Sequence, residues 1–291
     1  MCLWYAVVAS QVFAAQGPSL DLFRYDRSQP LDVIEEPYNV TPTARVFRIG
    51  FVSPGGGRVT GMLGVPTRPG PHAGVVLLHG APGSAAAIFG NHGLPLVARG
   101  AVALAIDAPW VRRGGVPDLT VRDSVEQVQL MHDLQRAVDV LLAREDVDPR
   151  RIGYVGGSYG AAMGGLFVGI ERRVAAAALF VPDGGLVAHF THRSGEAVGP
   201  LALARADLRH RWVAAMTPIE PIRFIHLAEG TPLLFQNARN DQMVANDDAE
   251  ALHAAAPEPK TVLWYDTGHG LSPQATRDRL AWLARHLGID P

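Results

Sequence analysis

Continuous apolar runs frame this chain. Gly74-Val75-Val76-Leu77-Leu78 and Val102-Ala103-Leu104-Ala105-Ile106 offer no polar position to turn toward water. A strand reads this way when both faces of its sheet are covered, as at the centre of a parallel sheet. Ahead of them, Arg45 to Phe51 and Arg58 to Val65 alternate polar with apolar around Pro54-Gly55-Gly56-Gly57. That alternation predicts an antiparallel hairpin. From Asp123 to Arg144 the period changes. Apolar residues recur at Val125, Val128, Met131, Leu134, Val138 and Leu141, the spacing of a helix with one buried face. Asp148-Pro149 is then expected to break the chain before a short strand at Arg151 to Val155. Further strands are expected at Val174 to Phe180, Leu233 to Gln236 and Thr261 to Tyr265. Helices are expected near Leu94 to Arg99 and over Ala161 to Val168, Asp247 to Ala255 and Gln274 to Leu287. Strands alternating with helices predict an α/β fold, a mostly parallel doubly wound sheet with an antiparallel N-terminal hairpin.

Two stretches fall outside this alternation. Residues 1–44 form a lead-in, and 20–44 are polar and proline-punctuated, with little regular structure expected. Within it, Leu3 to Ala15 is largely apolar and ends in small residues, like the end of a signal peptide. No Lys or Arg precedes Arg24, so the basic start of such a peptide is missing. Residues 1–15 therefore read either as a processed or truncated signal segment or as an ordinary N-terminal helix, and the compartment stays open between cytoplasmic and secreted or periplasmic. The α/β domain is expected over 45–291. Asp183 to Gly230 is too long for a plain crossover and holds a helix-like piece from Leu201 to Ala215 and a proline-rich return. It is expected to be a small lid inserted over the C-terminal edge of the sheet.

Composition removes several functions. The net charge is −2 with no long basic block, so nucleic-acid binding has no electrostatic footprint. The one cysteine, Cys2, excludes an intrachain disulfide framework and a cysteine-based zinc site. No apolar run is long enough for a transmembrane helix.

The chemistry concentrates at Gly156-Gly157-Ser158-Tyr159-Gly160. The stretch lies between a predicted strand and a predicted helix, the context that makes G-x-S-x-G a nucleophile elbow. Glycines at both ends let neighbouring backbone approach a strained turn that exposes the serine hydroxyl. The bland alternative is a glycine-rich turn with an incidental serine. Serine alone is a poor nucleophile and needs a base and a carboxylate to orient it. The usual chain order at such an elbow is Ser, acid, His. Asp241 falls in the loop after the strand Leu233 to Asn237, and His269 follows the strand ending at Asp266, between Gly268 and Gly270. Asp183 is the rival acid, after Phe180-Val181-Pro182. Asp266 is too near His269 in the strand, and Asp247 and Asp248 read as helix caps. Donors for an oxyanion are expected from the backbone N–H of Tyr159 and of Ala81, in the loop His79-Gly80-Ala81-Pro82-Gly83-Ser84. Pro82 has no N–H to give. His79 reads as a buried histidine that holds this loop.

Taken together, His79-Gly80, the elbow, Asp241 and His269 resemble the α/β-hydrolase superfamily, from about Val46 to the C-terminus. Asp148-Pro149-Arg150-Arg151-Ile152-Gly153 leading into the elbow resembles its dienelactone hydrolase, acetyl esterase and prolyl oligopeptidase-like branch. The resemblance implies a triad of Ser158, Asp241 and His269, oxyanion donors at Ala81 and Tyr159, and no cofactor or metal. Three departures narrow it. Dienelactone hydrolases proper use a cysteine nucleophile. Prolyl oligopeptidases proper carry a propeller, which about 45 residues ahead of the sheet cannot hold. The lipase-type His-Gly-Gly-Gly motif is absent. A serine carboxylesterase acting on a small-molecule ester is the leading expectation. A peptidase or amidase of the same branch is the alternative; Glu35-Glu36 could in principle capture a peptide amine, but such a pair in a leader is more often solvated. A third reading is a binding protein on a retired hydrolase fold. Trp110 and Phe89 are the candidate substrate-binding residues, with Phe190, His189 and Trp212 of the lid as further candidates, and each reads equally well as plain core. Oligomeric state is not legible in this sequence.

Overall fold

The computed structural model describes residues 19–191 and 196–291, so the N-terminal segment 1–15 lies outside the described residues. Nine strands form one sheet: β1 (Ile34–Val40), β2 (Ala44–Val52), β3 (Arg58–Pro66), β4 (His72–Leu78), β5 (Ala101–Ile106), β6 (Val147–Gly157), β7 (Val174–Phe180), β8 (Leu233–Ala238) and β9 (Lys260–Tyr265). Their order is β1-β2-β3-β5-β4-β6-β7-β8-β9. The β1–β2, β2–β3 and β3–β5 pairs are antiparallel, and all pairs from β5 to β9 are parallel. The expected hairpin and doubly wound sheet are both present.

The apolar run in β4 shows why the centre reads as it does. Val76 and Leu78 enter one core with Leu134, Val138 and Leu141. Val75 and Leu77 enter the other, with Leu280, Leu283 and Leu287. After α1 (Ala85–Ile88), α2 (Leu94–Ala98) and α3 (Pro109–Arg112), helix α4 (Arg122–Leu142) contributes to the first core and α10 (Pro273–Leu287) to the second. Successive side chains thus meet helices on opposite faces, and neither can be polar.

Three local expectations fail. The lead-in contains strand β1, every residue of which is exposed. With no buried face it carries no alternation, and its main-chain bonds to β2 hold it. Pro37 sits at a register irregularity on this edge, where proline is tolerated. Asp148-Pro149 does not end a segment, because β6 runs through it. The register slips between His72↔Val147 and Gly74↔Ile152, and Asp148 Oδ1 accepts the Arg150 N–H at 3.0 Å within the bulge. Helix α4 buries its apolar face only from Leu130 onward, and Val125 is 67% exposed. Its first turns face the insertion with polar groups. Asp123 accepts from the Trp212 indole at 2.8 Å, and Gln127 donates to the Ile219 carbonyl at 2.6 Å.

The insertion carries α6 (Leu186–Thr191), α7 (Gly199–Leu203) and α8 (Ala206–Met216), followed by short 3₁₀ turns. Leu201, Trp212 and Met216 are fully buried and tie it to the domain core. No helix among the described residues is long and apolar enough to cross a membrane.

Candidate active site

The turn between β6 and α5 (Tyr159–Ile170) places Ser158 at φ 52°, ψ −120°. Such a backbone is rare for a residue with a Cβ and costs about 1–3 kcal/mol. The surroundings hold it there. Ser158 N–H donates to Phe180 O at 2.9 Å, and Ser158 O accepts from Ala161 and Ala162. Side chains at the flanking glycines would collide with main chain. A Cβ on Gly156 would lie 2.3 Å from Gly160 O, and one on Gly160 would lie 2.1 Å from Leu78 O. Beneath the turn, the buried Tyr154 hydroxyl donates to Gly160 O at 2.6 Å. Tyr154→Phe is expected to lower stability by about 1–2 kcal/mol, through the lost bond and the dry space left behind. Urea unfolding of the two proteins measures it. An unchanged midpoint means the hydroxyl does not brace the elbow.

His269 lies in the loop after β9, and Asp241 in the loop after β8. The Arg239 N–H to Tyr265 O bond, 2.8 Å, and the Asn240 N–H to Thr267 O bond, 3.1 Å, lace these loops together. His269 Nε2 is 3.0 Å from Ser158 Oγ. His269 Nδ1 is 2.8 Å from Asp241 Oδ2 and 3.0 Å from Oδ1. With Nδ1–H donating to the carboxylate, Nε2 is left as the acceptor for the serine hydroxyl. The Asp241 side chain is only 3% exposed. Burial alone raises its pKa, but bonds from His269 and from the Met243 and Val244 amides outweigh burial and hold the carboxyl below its ordinary value.

The other carboxylates have other partners. Asp183 Oδ2 accepts from His189 Nδ1 at 2.8 Å, and Oδ1 accepts the Gly185 N–H at 3.1 Å. Asp266 is 86% exposed and pairs with Arg239. Asp247 and Asp248 do not cap α9 (Asn246–Ala255), whose N-cap is Ala245. They lie in its first turn, where the helix dipole favours them.

The loop after β4 passes beside Ser158. His79 is buried. Its Nδ1–H donates to Gly80 O at 2.7 Å and its Nε2 accepts the Ala108 N–H at 3.2 Å. It thereby fixes the loop carrying Ala81, and burial keeps its pKa down. The N–H of Ala81 has no acceptor among the described residues. Tyr159 opens α5, where the first N–H groups have no helical partner.

Trp110 and Phe89 do not line the space beside Ser158. Trp110 is 2% exposed and packs edge-on against His79 and Tyr159, with ring centroids 5.2 and 5.7 Å apart. It supports the wall from behind. Phe89 is 3% exposed and fills the core above Gly64, while its neighbour Ile88 reaches the cavity instead. Adjacent helical residues point about 100° apart, and the sequence alone does not say which points inward. Trp212 is likewise core, whereas His189 and Phe190 do border the site.

Two cavities meet at Ser158. The lid side, about 250 Å³, is bounded by Val116, Leu186, His189, Phe190 and Pro200. The opposite side, about 490 Å³, is bounded by Ile88, Asn91, His92, Phe180 and His269. Sequence reasoning missed Asn91, His92 and Val181. Val181 has φ 49° and is held by a 2.7 Å bond from its N–H to Gln236 O. Val181 directly follows a predicted strand end, whereas Asn91 and His92, ahead of the helix predicted near Leu94, carried no such signal.

This strand order and the placement of these loops define an α/β-hydrolase fold. A family model described as the prolyl oligopeptidase family matches residues 125–290, more than half of the chain. The chain belongs to that family. No curated protein matches it. Among solved structures, it is similar to an acetyl xylan esterase from Paenibacillus sp. R4, at 21% identity and a TM-score of 0.71, over 89% of this chain and 90% of that one. It is similar to acetyl xylan esterase 1 from Thermoanaerobacterium sp. JW/SL YS485, at 16% identity and a TM-score of 0.71, over 91% and 90%. A cold-adapted esterase from an Arctic intertidal metagenomic library follows at 18% identity and a TM-score of 0.63, over 91% and 99%. At these identities the likeness concerns the fold.

Proposed function

We propose that this protein is a serine esterase that hydrolyses small carboxylic esters. The observation that carries the reading is the unbroken chain Asp241–His269–Ser158, with contacts of 2.8 and 3.0 Å, ending at a strained serine that opens on two cavities. His269 Nε2 takes the proton as Ser158 Oγ attacks the ester carbonyl. Asp241 stabilises the imidazolium so formed. The N–H groups of Ala81 and Tyr159 receive the developing oxyanion. His269 then returns its proton to the leaving alkoxide. Water, deprotonated by the same histidine, attacks the acyl carbonyl, and the histidine returns that proton to Ser158 Oγ as the acid leaves. Every step uses these groups and water.

The lid-side cavity sets the expected range. Its volume of about 250 Å³ suits a short acyl chain, and a chain that cannot be buried gains none of the ~0.8 kcal/mol per methylene. The two acetyl xylan esterases of the same fold are named for a short acyl group, which agrees with this size. We therefore expect kcat/KM for 4-nitrophenyl esters to be highest from acetyl to butyryl and weak beyond about eight carbons. A series from two to sixteen carbons tests this. A maximum at long chains means that the insertion forms an open groove.

The family's description favours a second reading, a peptidase. The feature proposed for it in the sequence is not at the site. Glu35 pairs with Arg144, and Glu36 borders a separate cavity between β1 and the 85–88 helix. Comparing matched acetyl esters and acetyl anilides decides between the two.

A further inference from the structure

Arg279, on α10, is 3% exposed, and none of its hydrogen-bond partners is a carboxylate. Its guanidinium donates to Gln236 Oε1 at 2.7 Å and to His92 Nδ1 at 3.0 Å, and lies 4.3 Å above the Phe180 ring. Gln236 cannot turn its amide nitrogen inward, because that nitrogen already donates to Tyr265 Oη and Ala275 O. A buried cation with no counter-ion among the described residues is expensive to keep, so its retention calls for an explanation.

His92 supplies one. A guanidinium N–H can only donate, so His92 Nδ1 must be the unprotonated nitrogen and Nε2 must carry the hydrogen. Burial first, and the Arg279 charge second, push the His92 pKa down to about 3, so the ring stays neutral. His92 packs on Phe180 at 4.8 Å between ring centroids and forms part of the wall of the 490 Å³ cavity that opens on Ser158 and His269. Nε2–H has no hydrogen-bond partner among the described residues, and Asn91 also borders the cavity. Among the described residues, no Asp or Glu borders this cavity, whereas the lid-side cavity is bordered by Asp183. Behind this wall stands the buried Arg279 cation, whereas the Asp183 carboxylate in the other wall is already bonded to His189.

We propose that the cavity beside His92 recognises a carboxylate carried by the substrate, with His92 Nε2–H as the donor and Arg279 as the positioning residue that fixes its tautomer. This rests on the reading of Ser158 as the nucleophile and names a substrate class for it, esters whose acyl or alcohol part ends in an anionic oxygen.

Two matched pairs test it on the full chain: 4-nitrophenyl hemiglutarate against 4-nitrophenyl valerate for the acyl side, and 4-acetoxybenzoate against 4-methylphenyl acetate for the alcohol side. The expected result is a preference for the anionic member in one pair. His92→Phe should reduce the anionic-to-neutral ratio of kcat/KM by roughly 10-fold or more, mainly through KM, the scale of a hydrogen bond to a charged group. Arg279→Met should reduce the same ratio and move the His92 ring ¹⁵N signals away from the Nε2–H tautomer. If Arg279→Met does not fold, Arg279→Lys and the wild-type tautomer measurement take its place. A wild-type ring with its hydrogen on Nδ1, no anionic preference in either pair, or a ratio unmoved by His92→Phe overturns the proposal. The two readings fail separately. If the parent turns over no ester at all, the esterase reading falls. Titrating glutarate into the Ser158→Ala variant, read at the His92 Nε2–H, then decides the anion site alone.

Discussion

Replacing Ser158 with alanine is expected to lower ester hydrolysis by about 10⁴- to 10⁶-fold, the scale seen when a triad nucleophile is removed. The fold should be unaffected. The hydroxyl makes one side-chain bond, to His269, and no main-chain group depends on it. Alanine at φ 52° carries the same backbone strain as serine, so the turn neither gains nor loses. The thermal midpoint should stay within a degree or two while turnover vanishes. A fluorophosphonate probe should label the parent once, at Ser158, and leave the variant unlabelled. Labelling at another serine, or an alanine variant as active as the parent, would remove the nucleophile assignment and the mechanism with it. Residual activity about 10³-fold above water is compatible with the proposal, because the Ala81 and Tyr159 donors remain.

The parts of this site that could be read in the sequence share one property: local chemistry fixes them. Gly156 and Gly160 are required by backbone contacts within a few residues of the turn or with the adjacent strand end. His269 stands at the end of a strand that its own residues specify. The apolar run of β4 reports burial on two faces without reference to any partner. What could not be read depends on distant partners. Strand β1 exists because β2 offers an edge, and nothing in Ile34 to Val40 shows it. Trp110 and Phe89 are bulky residues near the site in sequence, and only the packing of helices on the sheet turns them inward. His92 and Arg279 lie 187 positions apart, and neither is unusual in its own neighbourhood. That no carboxylate bonds Arg279 among the described residues shows only in the folded core.

Asp241→Asn is expected to reduce kcat by about 10⁴-fold, against about 10-fold or less for Asp183→Asn. The two aspartates sit at the ends of adjacent strands, β8 and β7, and each bonds the Nδ1 of a histidine. Only His269 reaches Ser158 Oγ. In the asparagine variant at 241, the Met243 and Val244 amides claim the remaining carbonyl oxygen, as they do Oδ1 now. The amide nitrogen is then left facing His269 Nδ1. It can only donate, so it forces Nδ1 to accept and moves the hydrogen to Nε2, where it opposes the Ser158 hydroxyl. The base is present but in the wrong tautomer. Asp183 makes its bonds to His189 and Gly185 within the lid, so its loss should alter the pocket before the chemistry. A stability measurement separates the tautomer effect from unfolding. The Asp241 carboxyl is held below its ordinary value of 3.8, so the folded state binds fewer protons there than the unfolded chain. Its contribution is present above that value and disappears as pH falls through the lower folded value. The gap in stability between parent and Asp241→Asn should therefore be open at neutral pH and narrow under acid, while the loss of kcat at neutral pH far exceeds what the fraction unfolded can account for. If Asp183→Asn is the more damaging change, the acid lies at the end of β7, and His269 must turn to meet it.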